Sequence, residues 1–431
     1  MISILRSDAP ESKKRIEALE QRSNMDNSAQ LAVVKDIIAN VRERGDEALF
    51  EYTKRFDNFD VSEENIRVTS EEIAEAYESV DDSLIDSLRA CIANIHEFHQ
   101  RQRRNTWLDI QPGAITGQMV RPLESVGLYV PGGKAAYPSS LLMNVIPAVV
   151  AGVKRIAMVT PPDKTTGRVY PTTLVAAREA GITEIYKVGG AQAVAALAFG
   201  TKSIPRVNKI TGPGNIFVAL AKREVYGYVG IDMIAGPSEV LVIADKNANT
   251  KYIAADMLSQ AEHDELSAAI LITDSETLAK EVAELIESQL AGLEREKIAR
   301  AAIETNSAII IARDIDEAIE ISNGIAPEHL ELLVSDPMLR LDSIKAAGAV
   351  FMGEYSPEPL GDYFAGTNHV LPTGTSARFF SPLSVDDFVK KSSIIYYSKQ
   401  ALLNAVDDIS AVANAEGLTA HAKSALLRRE G

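Results

Sequence analysis

Gly127-Leu128-Tyr129-Val130-Pro131-Gly132-Gly133 is where the chain changes rhythm. A short apolar run ends in Pro-Gly-Gly, and an apolar-periodic stretch over 139–153 follows. Strand, turn and helix is the economical reading. The unit then recurs. Arg155-Ile156-Ala157-Met158-Val159-Thr160 is a strand stopped by Pro161-Pro162. Beyond it the pattern predicts helix 171–180, strand 184–188, helix 191–199, strand 209–211 and helix 215–226. A second series of the same rhythm follows: strand 240–244, helix 249–261, strand 268–273, helix 276–293, strand 308–312, helix 316–323, and strands 329–334 and 349–352. Apolar strands alternating with helices predict an α/β fold, with parallel sheets covered by helices on both faces. No sequence repeat links the two series.

The flanks are helical. Before the first strand the periodicity predicts helices over 30–44, from Ser70 onward, and over 82–102. The last of these carries His96 and His99 beside Glu97 and the run Arg101-Gln102-Arg103-Arg104, so both histidines read as surface residues. Cys91, among Leu88, Ile92 and Ile95, reads as core packing. After Ser381 a tail of helices is expected over 385–391, 399–415 and 420–429, with no core of its own.

Composition narrows the class. With 431 residues, 46% of them hydrophobic and 24% charged, the chain suits a soluble protein of two or three domains. A net charge of −16 without a basic block argues against nucleic acid. No apolar run is long enough for a membrane span, and Met1-Ile2-Ser3-Ile4-Leu5-Arg6 lacks a signal-peptide pattern. One cysteine excludes an internal disulfide and a thiolate zinc site. A cytoplasmic enzyme is the expectation, and any metal in it needs nitrogen and oxygen ligands.

Chemistry-bearing residues collect in a few short stretches. Three glycine turns follow predicted strands and lead into helices: Pro131-Gly132-Gly133, Gly189-Gly190-Ala191-Gln192 and Gly212-Pro213-Gly214-Asn215. Such turns let backbone and a helix N-terminus approach a phosphate. None matches G-x-G-x-x-G, so any Rossmann-like domain is incomplete by that criterion. In Ser259-Gln260-Ala261-Glu262-His263 the amide and imidazole are three apart at a helix end, with Cβ atoms about 5–6 Å apart on one face. Pro327-Glu328-His329-Leu330 sets an acid and an imidazole side by side at the start of a strand. An imidazole titrating near neutrality suits proton abstraction. The loop from Pro359 to Pro372 holds Asp362 and His369, and the tail holds Glu416 and His421. Gln260, His263, Asp362 and His421 together make a nitrogen and oxygen metal set with a single carboxylate. A zinc ion so held keeps net positive charge and accepts further neutral donors.

Taken in order, these stretches resemble the histidinol dehydrogenase family. The motifs that carry the likeness are the two turns at Gly189 and Gly212, Gly236-Pro237-Ser238-Glu239, the Gln260/His263 stretch, Pro327-Glu328-His329-Leu330, Gly361-Asp362-Tyr363 and Asn368-His369-Val370-Leu371-Pro372-Thr373. They span nearly the whole chain. The resemblance implies a zinc enzyme that oxidises L-histidinol through L-histidinal to L-histidine with two NAD+, the last step of histidine biosynthesis. It implies zinc on Gln260, His263, Asp362 and His421, and proton transfer by Glu328 and His329. Substrate would be contacted by Ser238, His369 and Glu416 as well as by the metal set and His329. NAD would meet Tyr129, Gln192 and Asn215. It also implies two Rossmann-like parallel-sheet domains in a domain-swapped homodimer. The parts would be an arm over 1–24, a discontinuous larger domain over 25–125 and 236–380, an inserted NAD domain over 126–235, and a tail over 381–431 completing the partner's site. A zinc hydrolase is the competing reading, but the chain lacks H-E-x-x-H and a hydrolase has no use for the glycine turns. A non-catalytic metal-binding protein is a third.

Overall fold

The computed structural model describes residues 2–20, 27–132, 136–234 and 236–430. Gly133 of the first glycine turn lies outside them. Compactness divides the chain into 1–102 with 124–388, and 103–123 with 389–431.

The larger unit contains two parallel sheets. One has six strands, in the order Ile4–Arg6, Ala308–Ile311, Ala268–Thr273, Glu239–Ala244, His329–Leu333 and Ala349–Met352. The other has five, in the order Glu184–Tyr186, Arg155–Val159, Ser125–Tyr129, Lys209–Thr211 and Gly230–Ile231. Leaving out the edge strand Ile4–Arg6, both sheets have one topology. The first strand of each series is central, the next two lie to one side, and the last two lie to the other. The two series are thus a structural repeat that the sequence does not reveal. Each helix returns the chain to the next parallel strand, as a crossover connection must.

The central strands carry long apolar runs because both of their faces are covered. Val240, Val242 and Ala244 pack with Met257, Leu258 and Leu271 on one side of the six-stranded sheet. Leu241 and Ile243 pack with Ile319, Leu330 and Leu332 on the other. A strand buried on both faces has no polar alternation to show. The five-stranded sheet is closed by small residues, Ala191, Ala193, Ala195 and Ala198 of the helix Gly190–Phe199 among them. No helix among the described residues is long and apolar enough to cross a membrane.

Three expectations are corrected. His99 is buried, not on the surface; its Nδ1 meets Gln102 Oε1 at 2.7 Å and its Nε2 meets Asn368 Nδ2 at 3.3 Å. Asn368 also donates to the carbonyl of Met143 at 2.7 Å, so distant segments close over a ring that the local pattern leaves on a polar edge. Residues 385–391 are not a helix: a short 3-10 turn Val385–Phe388 gives way to the strand Val389–Tyr397. Cys91 is only partly buried.

That strand organises the smaller unit. It pairs antiparallel with Ala114–Pro122, from Val389 opposite Pro122 to Tyr397 opposite Ala114, and Trp107–Gln111 pairs on the other edge. The helices Lys399–Ala415 and Thr419–Leu426 follow, so the tail is helical only after its strand.

Candidate active site

Glu328 and His329 stand where the strand His329–Leu333 of the six-stranded sheet begins, paired with Glu239–Ala244: His329 is opposite Val240. Both are buried. The ring is fixed by its partner. His329 Nδ1–H donates to the carbonyl of Glu239 at 3.1 Å, and a carbonyl only accepts, so the proton sits on Nδ1. Nε2 then presents a lone pair. It is buried, has no hydrogen-bond partner, and lies 3.9 Å from Asp362 Oδ1. Burial lowers the imidazole pKa to about 4, against the attraction of Asp362, so the ring is a neutral base at ordinary pH.

Glu328 Oε2 accepts from the backbone N of Glu239 at 2.9 Å and lies 3.7 Å from His329 Nδ1. Burial pushes its pKa well above the usual carboxylate range, and the nearby acids Glu239 and Asp362 push the same way. The Glu239 amide and the Ser238 hydroxyl oppose this by hydrogen-bonding the carboxylate. Ser238 is thereby placed at the acid–base pair.

The second group surrounds Asp362. Gln260 is the penultimate residue of the helix Thr250–Ala261, and His263 follows that helix. Asp362 sits in the short helix Glu358–Tyr363. Ligand atoms of His263, Asp362 and Glu358 all lie within 4.8 Å of one another. His369 is drawn in as well: its Nδ1–H donates to the carbonyl of Asp362 at 3.0 Å. Gln260 is fully buried, and its amide satisfies its neighbours in one orientation only, with Nε2 donating to Glu358 Oε1 at 2.6 Å and Oε2 at 3.1 Å. Burial raises the Glu358 pKa well above its ordinary value, and the charges acting on it, those of Asp362, Glu328, Glu331 and Asp256, all raise it further. A cation among these donors relieves that repulsion. The donor set therefore fits a zinc ion, and His263, Asp362 and Glu358, with the Gln260 amide against Glu358, are the residues that could hold it.

The third group lies at the carboxyl ends of the five-stranded sheet, where strand order reverses between Ser125–Tyr129 and Lys209–Thr211. Such a switch point is where open α/β sheets bind ligands. The Tyr129 hydroxyl accepts from the backbone N of Gly190 at 3.0 Å. Gln192 is buried, and neither its Oε1 nor its Nε2 has a partner. Gly212 has φ of +115°, and a Cβ there would stand 2.1 Å from the carbonyl oxygen of Tyr129. A buried ion pair locks that turn: Lys222 Nζ donates to Gly212 O at 2.9 Å, Asp232 Oδ2 accepts from Gly212 N at 2.8 Å, and the two side chains pair with each other. Asn215 caps the next helix through Phe217 N at 3.0 Å and Val218 N at 3.2 Å.

Gln260, His263, Glu328, His329, Asp362, His369 and Ser238 are thus brought together, Gln192 and Asn215 lie on glycine turns, and Tyr129 ends a strand with its hydroxyl against the turn at Gly190. Glu416 and His421 belong to the smaller unit, where both are exposed. Sequence reasoning missed Glu358. The one signal was its spacing: it lies four residues before Asp362, which shares a helix face.

A family profile described as histidinol dehydrogenase matches residues 20–429. A histidinol dehydrogenase from Caldanaerobacter subterraneus is 57% identical over 410 residues, covering 95% of each chain. One from Bacillus cereus is 54% identical over 430 residues, covering 100% of this chain and 99% of its own. The crystal structure of histidinol dehydrogenase from Elizabethkingia anophelis superposes with a TM-score of 0.94 at 39% identity, over 100% of this chain and 98% of that one.

Proposed function

This chain belongs to the histidinol dehydrogenase family, and on that premise we propose that it oxidises L-histidinol to L-histidine with two NAD+ at a zinc site. It is an NAD-dependent oxidoreductase of histidine biosynthesis. The observation that carries the mechanism is the lone pair of His329 Nε2, buried without a partner beside Asp362.

Zinc, held by Gln260, His263 and Asp362 with His421 of the partner subunit, would supply a fixed positive centre that orients the nitrogen donors of the substrate. In the first oxidation His329 Nε2 takes the hydroxyl proton while the carbon-bound hydrogen leaves as hydride to NAD+, and the alcohol becomes an aldehyde. Water then adds to the aldehyde carbon. Glu328, once ionised, is a strong base because burial raises its pKa, and it takes a proton from that water. The carbonyl oxygen takes the proton that His329 Nε2 accepted in the first oxidation, so a hydrate forms and the ring is again neutral. In the second oxidation His329 takes a hydrate hydroxyl proton as hydride leaves to a second NAD+, which gives the carboxylic acid. Asp362 fixes His369 beside the site through its carbonyl.

Segment 126–235 would bind NAD, with Tyr129, Gln192 and Asn215 lining the cofactor. Segment 236–380 would carry the metal and proton-transfer residues. We assign a homodimer in which Glu416 and His421 of the partner subunit complete each site. The surface of the smaller unit supports this: Trp107, Leu108, Ile110, Ile395 and Tyr396 are all more than half exposed, at 54%, 51%, 71%, 75% and 58%. Apolar residues so concentrated mark an interface.

The test is stoichiometry. Zinc-loaded enzyme given limiting L-histidinol and excess NAD+ should yield two NADH per histidinol with no free aldehyde. One NADH and accumulated histidinal would contradict the reading.

A further inference from the structure

We propose that Glu358 is a positioning residue for the metal: its carboxylate holds the Gln260 amide so that Oε1, and not Nε2, faces the ion. The inference rests on the zinc site proposed above. A glutamine amide has two ends of nearly equal size, and only the oxygen end has a lone pair to give. A helix alone leaves the two ends interchangeable by rotation about the last side-chain bond. Something must therefore hold the NH2 end.

Glu358 is placed to do it. Both of its oxygens are within hydrogen-bond reach of Gln260 Nε2, at 2.6 and 3.1 Å. With the amide reversed, its oxygen would face a carboxylate and nothing would donate between them. Glu358 is itself held. It is 1% exposed, and its backbone N donates to Glu331 Oε1 at 3.0 Å. Glu331 is 1% exposed and hydrogen-bonds Asp256, which lies on the same helix as Gln260. Glu358 and Asp362 share the helix Glu358–Tyr363, so the residue that orients one ligand is rigidly joined to another. An oxygen of Glu358 also lies within 4.8 Å of the donor atoms of His263 and Asp362. Direct ligation is thus the competing role, and it makes a different demand. A ligand contributes whether or not Gln260 is present, whereas a positioning residue contributes only through it.

A double-mutant cycle on metal affinity separates the two. Zinc dissociation constants would be measured by chelator competition for the full-length protein and for E358L, Q260A and Q260A/E358L, with circular dichroism on each. E358L should weaken zinc binding by about 10- to 100-fold, the usual effect of losing a residue that orients a ligand. In the Q260A background the same substitution should change affinity by less than about twofold. E358Q keeps an acceptor oxygen for Nε2 and should stay within about threefold of the parent. If E358L does not fold, E358D, which draws the carboxylate back by one methylene, takes its place in the cycle. Equal losses in both backgrounds, or no loss in the parent, would overturn the inference while leaving the zinc site standing. A parent that binds no zinc, or full zinc in H263N, would overturn the site and this role together.

Discussion

Glu328 and His329 are neighbours in sequence with opposite electrostatic fates. Burial works against charge on both, so the acid is pushed up and the imidazole down. On the proposed mechanism the imidazole would serve as base in both oxidations, and the carboxylate would be needed only for the water. In Glu328→Gln the first NADH from histidinol should form at near the parent rate, and oxidation of supplied histidinal should slow by about 100-fold or more, the size of a general-base contribution. Stopped-flow NADH absorbance reads both, and equal losses on the two substrates would contradict the division of labour. A second residue gives a stability signature. Burial raises the Asp57 pKa to about 6. The folded state then binds this proton more tightly than the unfolded state, so Asp57 destabilises the fold as pH rises from about 4 to about 6, and fully above that. Asp57→Asn should raise Tm at pH 7.5, by a margin worth about 1–2 kcal/mol after allowing for partial exposure, and should leave it unchanged near pH 4. Equal shifts at the two pH values would contradict this.

At the scale of elements, the glycine turn at Gly212 depends on a charge pair rather than on the turn residues alone. Lys222 and Asp232 hold the carbonyl and the amide of the same glycine from inside the domain. Lys222→Met leaves the Asp232 carboxylate buried without its cation, and should cost about 3–5 kcal/mol in chemical denaturation. It should also weaken NAD binding by calorimetry, with zinc content unchanged. The same scale shows what a sequence can reveal. The strands Glu239–Ala244 and Ala268–Thr273 were legible because burial on both faces writes an unbroken apolar run within six residues. The strand Val389–Tyr397 was not, because it exists through its pairing with Ala114–Pro122, far back in the chain. His99 was misread for a like reason: Asn368, which binds it, comes from a loop on the other side of the fold's sequence. Glu358 was missed because an acid between two prolines reads as exposed loop, and only the fold buries it against Gln260. The order of the motifs identified the family. The convergence of His263, Glu358 and Asp362 on one point, with Gln260 against Glu358, needed the structure.

At the scale of the molecule, the two sheets repeat one topology but put their chemistry at opposite ends. The glycine turns follow the carboxyl ends of the five-stranded sheet, while Glu328 and His329 lie at the amino end of a strand in the six-stranded one. The dimer would add the tail. If Glu416 and His421 of the partner subunit serve each site, mixing Glu328→Gln, slow in its aldehyde oxidation, with His421→Asn should restore steady-state histidine formation as subunits exchange, up to about one quarter of the parent at equal ratio for random pairing with one restored site per mixed dimer. No recovery after verified exchange would contradict the swap. The most direct measurement is a crystal structure of the zinc-loaded enzyme with anomalous data at the zinc edge. One peak per subunit is expected, about 2.0–2.2 Å from Gln260 Oε1, a ring nitrogen of His263 and a carboxylate oxygen of Asp362. A peak elsewhere, or none with zinc in excess, would contradict the account.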